Sequence, residues 1–529
     1  MPIRMEKDPE DPRKKRERDY YDNKRRRPGG GGGGIGGIIP MILMMLFRGG
    51  GSKKGIMILL AVGAVWYFFL GGQQMLNGGG GANPNDNNTS YFEGAELDEK
   101  HYDKAEVYEP LAEGYGNTLP SATSLLQYAP KRGFQGRQGS CVGWASSYGA
   151  RTILHARATG ADPNSVVFSP SFLYNQIALQ GCQGAYMVNA MKVLHQYGDL
   201  PLRDFPYDEN TCSTSPSRSD LQQASQYRIK GYNRLSVGAD RYDTDLTAIK
   251  QNLAQGAPVV IGAMVGGTFM ENMRGRDVWV PTRNDYNMRG FGGHAMCVIG
   301  YDDNKEGGAF QIMNSWGPQW GNNGVAWIRY DDFAHFTKEA YGLYPMGKAN
   351  DPNFDPNKLA VEFGLVDINT KKFIPLREKS GKVFATTSPI KKGDKFKIAV
   401  ANSIECYIYV FGQETDGSSY VLFPYTKKHS PYCGITGTRL FPKDYSMKAD
   451  DLGSRDRIAI LVTKEAIDFT AANNALNASS ASRYLDKFEQ VIGNDQATNV
   501  RYKAGETVSL DCDLNGKAGT FVIIELDKR

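Results

Sequence analysis

Histidine is scarce in this chain. Its 529 residues contain six, too scattered to supply the spaced ligands of a metal centre, so neither a metal nor another cofactor is expected. An excess of one charge is also missing from most of the sequence. Residues 1–27 hold eleven Lys/Arg against seven Asp/Glu, and Arg48, Lys53 and Lys54 add three more, so the rest of a +5 chain sums to −2. That balance argues against a nucleic-acid surface on the folded part. The long apolar runs considered lie near the N-terminus. GIGGIIPMILMMLF (34–47) is short and broken by Pro40; as helix it would span about 20 Å of a hydrocarbon core about 30 Å thick, so an interfacial position is expected. An early apolar region with a small-residue cleavage site is absent, which argues against a cleaved signal peptide.

GIMILLAVGAVWYFFLGG (55–72) is uncharged, with aromatics near its far end, and is the candidate transmembrane helix. The Lys/Arg excess before it predicts a cytoplasmic N-terminus and a single pass that sends residues 73–529 across. If 34–47 also spanned, the folded part would face the cytoplasm instead. Residues 1–54 read as a basic, Gly-rich disordered tail and 71–90 as a flexible tether. The acidic, aromatic stretch 91–117 reads as linker, with a short inhibitory segment as the alternative. The chain is too long for one ordinary core, so two folded domains are expected.

The first domain is organised around QGRQGSCVGWAS (135–146). A run of helical character from Val142 puts Cys141 at a helix N-terminus, where free N–H groups and the helix dipole favour the thiolate. Six residues earlier, Gln135 is placed to donate its side-chain amide to an oxyanion. Downstream come GGHAMCVIGYDD with His294 and FQIMNSWGPQWGNNGVAWIRY with Asn314. The order and spacing suit a nucleophile, an imidazole that holds and returns its proton, and an amide that orients the imidazole.

These motifs resemble those of the papain-like cysteine peptidases. QGRQGSC is similar to the family's glutamine-to-nucleophile segment, GHAMCVIGY to its histidine strand, and NSWGPQWGNNG to its asparagine motif. The resemblance covers about 118–345 and implies a peptide or protein substrate, with Cys141, His294, Asn314 and Gln135 as catalytic residues. GCQGAYMVNAMKVLHQYG (181–198) resembles the stretch that supplies a backbone strip for substrate, here Gly184 and Ala185. Ala185, Met187, Gly262 and Ala295 then fall at the pocket for the residue two before the scissile bond, implying a hydrophobic preference. Trp316 is expected to shield the His294–Asn314 hydrogen bond from water. Where the family often has a second cysteine, three positions before the nucleophile, this chain has Gln138. Cys182 therefore needs another partner, and Cys212 is the preferred one in an oxidising compartment; two reduced thiols are the alternative. Residues 91–117 do not resemble the long helical propeptide common in the family.

Helical signals at FSPSFLYNQIAL and VNAMKVLHQYG predict a helical first lobe, with His195 on a polar face. APVVIGAMV, HAMCVIGY, AFQIMN and GVAWIRY predict a β-rich second lobe. The expected fold is α+β, a two-lobed peptidase with its cleft at the lobe boundary. A Pro/Asn/Asp-rich linker (346–359) precedes KFKIAVAN, CYIYVFGQ, SSYVLFPY, RIAILVT and TFVIIELD, which predict a β-sandwich over 360–529 with one helical insertion near SSASRYLDKFEQVI. One bridge among Cys406, Cys433 and Cys512 is allowed, without a choice of pair. This domain looks like the small β domains appended to bacterial envelope proteins, which implies docking to an envelope protein. The whole reads as a peptidase anchored in a bacterial inner membrane and facing the periplasm or exterior. A transpeptidase or amidase on cell-wall peptides, and a non-catalytic scaffold, are the alternative functions.

Overall fold

The computed structural model describes residues 3–8, 91–344, 355 and 357–529. The candidate span 55–72, the apolar run 34–47 and the tether up to residue 90 lie outside the described residues. Among those described, no helix is long and apolar enough to cross a membrane.

The first lobe is helical, as expected. Cys141–Gly143 opens a helix that widens into π-helical turns over Trp144–Arg151 and closes as Thr152–Thr159, stopped by Gly160 at φ 70°. Ser169 caps Pro170–Tyr174 by accepting the Phe172 N–H, with proline at the start where no N–H is needed. Met187–Gln196 buries one face, from Met187 and Val188 to Met191 and Leu194, while His195 stays on the exposed side.

The second lobe is a sheet in the order Tyr232–Arg234, Thr337–Leu343, Val259–Val265, Gly292–Asp302, Ala309–Met313, Val325–Arg329 and Val278–Trp279, with Ala122–Ser124 on the Gly292–Asp302 strand. Val259–Val265 and Gly292–Asp302 are buried over most of their length. That is why they read as unbroken apolar runs rather than alternating ones.

Beyond the linker, two sheets face each other. One runs Ile3–Lys7, Tyr445–Ala449, Lys395–Asn402, Lys358–Asp367, Val508–Asp513, Arg501–Ala504; the other runs Leu376–Ser380, Val383–Thr386, Gly519–Asp527, Arg455–Thr463, Cys406–Gln413, Ser419–Phe423. Ile408, Val410, Ile458 and Ile460 point into the core between the sheets. Tyr409, Phe411, Ala459 and Leu461 point the other way, against Leu476, Tyr484 and Phe488. The second sheet is thus covered on both faces, and its cover is two helices, Phe469–Ala478 and Tyr484–Ile492, rather than the single insertion expected. Asp468 caps the extra helix by accepting the Thr470 and Ala471 N–H groups.

Two expectations need correction. The N-terminal tail is not unstructured throughout: Ile3–Lys7 pairs antiparallel with Tyr445–Ala449 at the edge of the first sheet. Lys395 and Lys448 both pair with Glu6, at 2.8 Å each. Residues 91–117 are ordered rather than a loose linker, and of the two readings given for them the short segment laid against the peptidase is the one that matches their pairing. They run through the groove between the lobes and on to the β domain.

Candidate active site

Cys141, His294, Asn314 and Gln135, far apart along the chain, meet at the lobe boundary. Cys141 is the first residue of its helix, and its Sγ accepts the Ala295 N–H at 3.4 Å. That contact sets the thiol against the residue following His294. His294 Nε2 lies 2.7 Å from Asn314 Oδ1, while Nδ1 is buried without a partner. Asn314 Oδ1 also accepts the Ser315 N–H at 2.7 Å, so the amide is oriented by its own backbone.

Gln135 is fixed from both ends. Ser315 Oγ donates to Oε1 at 2.6 Å, and Nε2 donates to Gln138 O at 3.0 Å and Phe92 O at 3.1 Å. Trp316 lies against His294, with ring centroids 4.3 Å apart, and its own hydrogen-bonding nitrogen also donates to Phe92 O, at 2.9 Å. The Trp316 ring thus covers one face of the His294 imidazole. Gln138, where the family often has cysteine, donates instead to Asp208 O and Thr211 O. Beside that loop, Cys182 bonds to Cys212.

The groove is filled by the chain's own residues 91–97. Tyr91 stacks on the far side of Trp316 at 4.7 Å. Gly94 O accepts the Ala185 N–H at 2.9 Å, and Ala95–Glu96 pairs parallel with Ala185–Tyr186. Close backbone approach is what demands small residues here: a Cβ on Gly184 would sit 2.7 Å from Gly94 O, and one on Gly94 would strike Gly139. Leu97 enters the pocket of Met187, Gly262 and Ala295, where a Cβ on Gly262 would collide with Leu97 and lie 2.6 Å from Met187 Sδ. Ala295 is the register partner of Gly262.

This plug changes the electrostatics. Burial pushes the Cys141 thiol up to about 12, helped by the nearby Glu93 carboxylate and opposed by the Ala295 N–H. Burial also pulls His294 down to about 4, against the Asn314 hydrogen bond. Burial thus disfavours both the thiolate and the imidazolium here, against the pull of the helix terminus.

One pocket residue escaped the sequence reading. Glu339 faces Gly262 across the sheet, so a carboxylate underlies a pocket expected to be apolar. Its Oε1 accepts the Asp98 N–H at 3.2 Å and its Oε2 the Tyr341 hydroxyl at 2.9 Å, and burial raises it to about 7. The strand AYGL alone carried the only signal, a glutamate preceding an apolar run.

A family model described as papain family cysteine protease matches residues 133–345. The match takes in all four residues gathered at the lobe boundary. An uncharacterized peptidase C1-like protein of Acanthamoeba polyphaga mimivirus is 28% identical over 263 residues, 48% of this chain and 79% of that protein. Cathepsin K of Mus musculus is 30% identical over 198 residues, and the chain spans 54% of its length. Among solved structures, xylellain, a cysteine protease from Xylella fastidiosa, is 23% identical with a TM-score of 0.40, covering 50% of this chain and 100% of that one. Residues 390–466 of the β domain match a domain of unknown function.

Proposed function

We propose that the papain-family domain hydrolyses peptide bonds in proteins or peptides through a thioester on Cys141, and that residues 91–97 hold it closed. In the open cleft the Cys141 thiolate attacks the scissile carbonyl. Gln135 Nε2 and the Cys141 backbone N–H receive the oxyanion. The C–N bond breaks as His294 gives its proton to the leaving amine. His294 then takes a proton from water, whose oxygen displaces sulfur and releases the acid. Asn314 holds the imidazole in position throughout.

The observation that carries this reading is what the strap's Phe92 carbonyl touches: the Gln135 amide on one side and Trp316 on the other, at 3.1 and 2.9 Å. A peptide carbonyl already occupies the donors beside the thiol. Parallel pairing with Ala185–Tyr186 fixes the strap's direction, and Leu97 marks a pocket for a hydrophobic side chain. The test uses the full chain carrying Leu97→Asp, which places a carboxylate beside Glu339 and expels the strap. This variant should react with a peptidyl epoxide at Cys141 and cleave peptides, and adding Cys141→Ala should abolish both. Coupling of the acyl group to an added amine in preference to water would assign the thioester to transpeptidation.

The same reading attaches the protein to a bacterial inner membrane through residues 55–72. The Cys182–Cys212 disulfide supports an oxidising side for the peptidase. Ile3–Lys7 pairs with Tyr445–Ala449, so a membrane passed between residues 8 and 91 has to be crossed an even number of times; were 34–47 the second crossing, the N-terminal Lys/Arg excess would turn the peptidase to the cytoplasm, against the disulfide. Protease accessibility from each face of intact membranes decides it, since a single pass would separate residue 8 from the β domain.

A further inference from the structure

The strap does not end at the cleft. After Leu97 a short helix, Glu99–Tyr102, seats the Tyr102 hydroxyl on the backbone of Ala340, and the chain then passes between the peptidase and the β domain. Asp103 is bound from both sides, by Arg234 Nη1 at 3.0 Å and Tyr242 Oη at 3.1 Å from the peptidase and by Lys428 Nζ at 2.8 Å from the β domain. Val107 is the middle strand of a three-part ladder. On the peptidase side Arg234 N donates to Glu106 O and Tyr108 N to Arg234 O, both at 2.9 Å; on the β-domain side Val107 N donates to Lys428 O at 2.7 Å and Ser430 N to Val107 O at 3.1 Å.

Further along, buried Arg439 donates Nε to Glu109 O at 3.0 Å. Ala112 N donates to Thr438 O at 2.8 Å. Asn117 closes the grip: its Nδ2 donates to Ala112 O and Thr438 O, and its Oδ1 accepts the Thr438 N–H. The β-domain side of every one of these contacts comes from a single segment, 428–439.

We propose that the β domain is the holdfast of the strap: segment 428–439 binds residues 103–117 as an added strand and thereby sets how often the peptidase cleft opens. This rests on the cleft being the peptidase site. Main-chain pairing supplies affinity, and the side chains of Asp103, Asn117 and Arg439 fix the register, the division of labour used when a sheet edge takes up an extended peptide. The plug in the cleft, tethered to this grip, is held at high effective concentration. By linkage, whatever draws segment 428–439 away from the strap opens the cleft, and whatever fills the cleft loosens the grip by the same factor.

The test is the rate at which a peptidyl epoxide labels Cys141 in the full chain. Lys428→Glu combined with Asn117→Ala removes β-domain contacts far from the cleft and should speed labelling roughly tenfold or more. Lys391→Glu, a charge reversal at an exposed β-domain position outside the grip, should leave the rate unchanged. Leu97→Asp, which opens the cleft directly, sets the upper limit. Labelling that rises with Leu97→Asp but not with the Lys428/Asn117 variant overturns the holdfast, provided both melt as the parent does; a variant that melts early is replaced by hydrogen exchange at Val107 and Ala112 in the parent, which must track the labelling rate if the holdfast is right and be independent of it if not. Labelling in Leu97→Asp without any peptide cleavage would sink the hydrolase reading and leave the holdfast standing.

Discussion

The β domain and the lobe boundary hold their buried charged and catalytic groups differently. In the β domain, Lys528 places its buried ammonium 2.7 Å from both Asp450 and Asp456, and Arg439 spends its donors on Asn402 Oδ1, Ile435 O and Glu109 O. At the lobe boundary, His294 Nδ1 and Asn314 Nδ2 are buried with nothing to bond, and the Cys141 sulfur meets backbone N–H groups alone, those of Ala295 and Val142 among them. Leaving such groups unpaired costs stability, about 1–3 kcal/mol each. A paired buried charge holds a structure together; unpaired nitrogens beside a thiol mark a place where another molecule's atoms can bond.

The sharpest way to break this contrast is at the groove. Cys141→Ala should cut peptide hydrolysis by the strap-opened chain by about a thousandfold or more while leaving the melting transition in place. Lys528→Met does the reverse: it leaves two carboxylates facing each other in a core and should cost the β domain about 3–5 kcal/mol, measured by denaturant unfolding. Cys182→Ser with Cys212→Ser opens a loop with a sequence separation of 30. It should lower stability by about 3 kcal/mol, with the loss absent when both proteins are reduced.

A smaller effect comes from Glu109, the strap's buried carboxyl. Burial raises it from 4.5 to about 7, with Asp444 adding to the rise and Lys443, Arg439 and Lys397 opposing it. A carboxyl with a higher value in the closed state favours closure when protonated. The closed state is therefore unpenalised below pH 4.5, and the penalty grows until about pH 7. The ratio of Cys141 labelling in the parent to that in Glu109→Gln should rise severalfold across this window; a flat ratio would show that Glu109 leaves its site without changing protonation.

Much of the peptidase was legible in the sequence because its chemistry needs particular side chains at particular places. Cys141, His294, Asn314 and Gln135 cannot be exchanged for look-alikes, and the glycines around them report close backbone contacts. The β domain was legible as strands: Lys395–Asn402 and Cys406–Gln413 coincide with KFKIAVAN and CYIYVFGQ. The strap was not. Its hold depends on the backbone of Gly94, Val107 and Ala112, and main-chain hydrogen bonds leave no periodic trace in side chains. Ile3–Lys7 was hidden for another reason, since an edge strand carrying Arg4, Glu6 and Lys7 looks like the charged tail that follows it. The helix Phe469–Ala478 lacks a strong apolar stripe, burying only Leu476.

The account turns on a thiol chemistry that is latent while residues 91–97 fill the groove. Its most direct measurement is hydrolysis, by the full chain carrying Leu97→Asp, of a peptide series varied at the residue two before the cleaved bond. Leucine at that position should be cleaved well above aspartate, with no cleavage of either once Cys141→Ala is added. Equal cleavage with and without the Cys141 sulfur, or preference for aspartate, would contradict it.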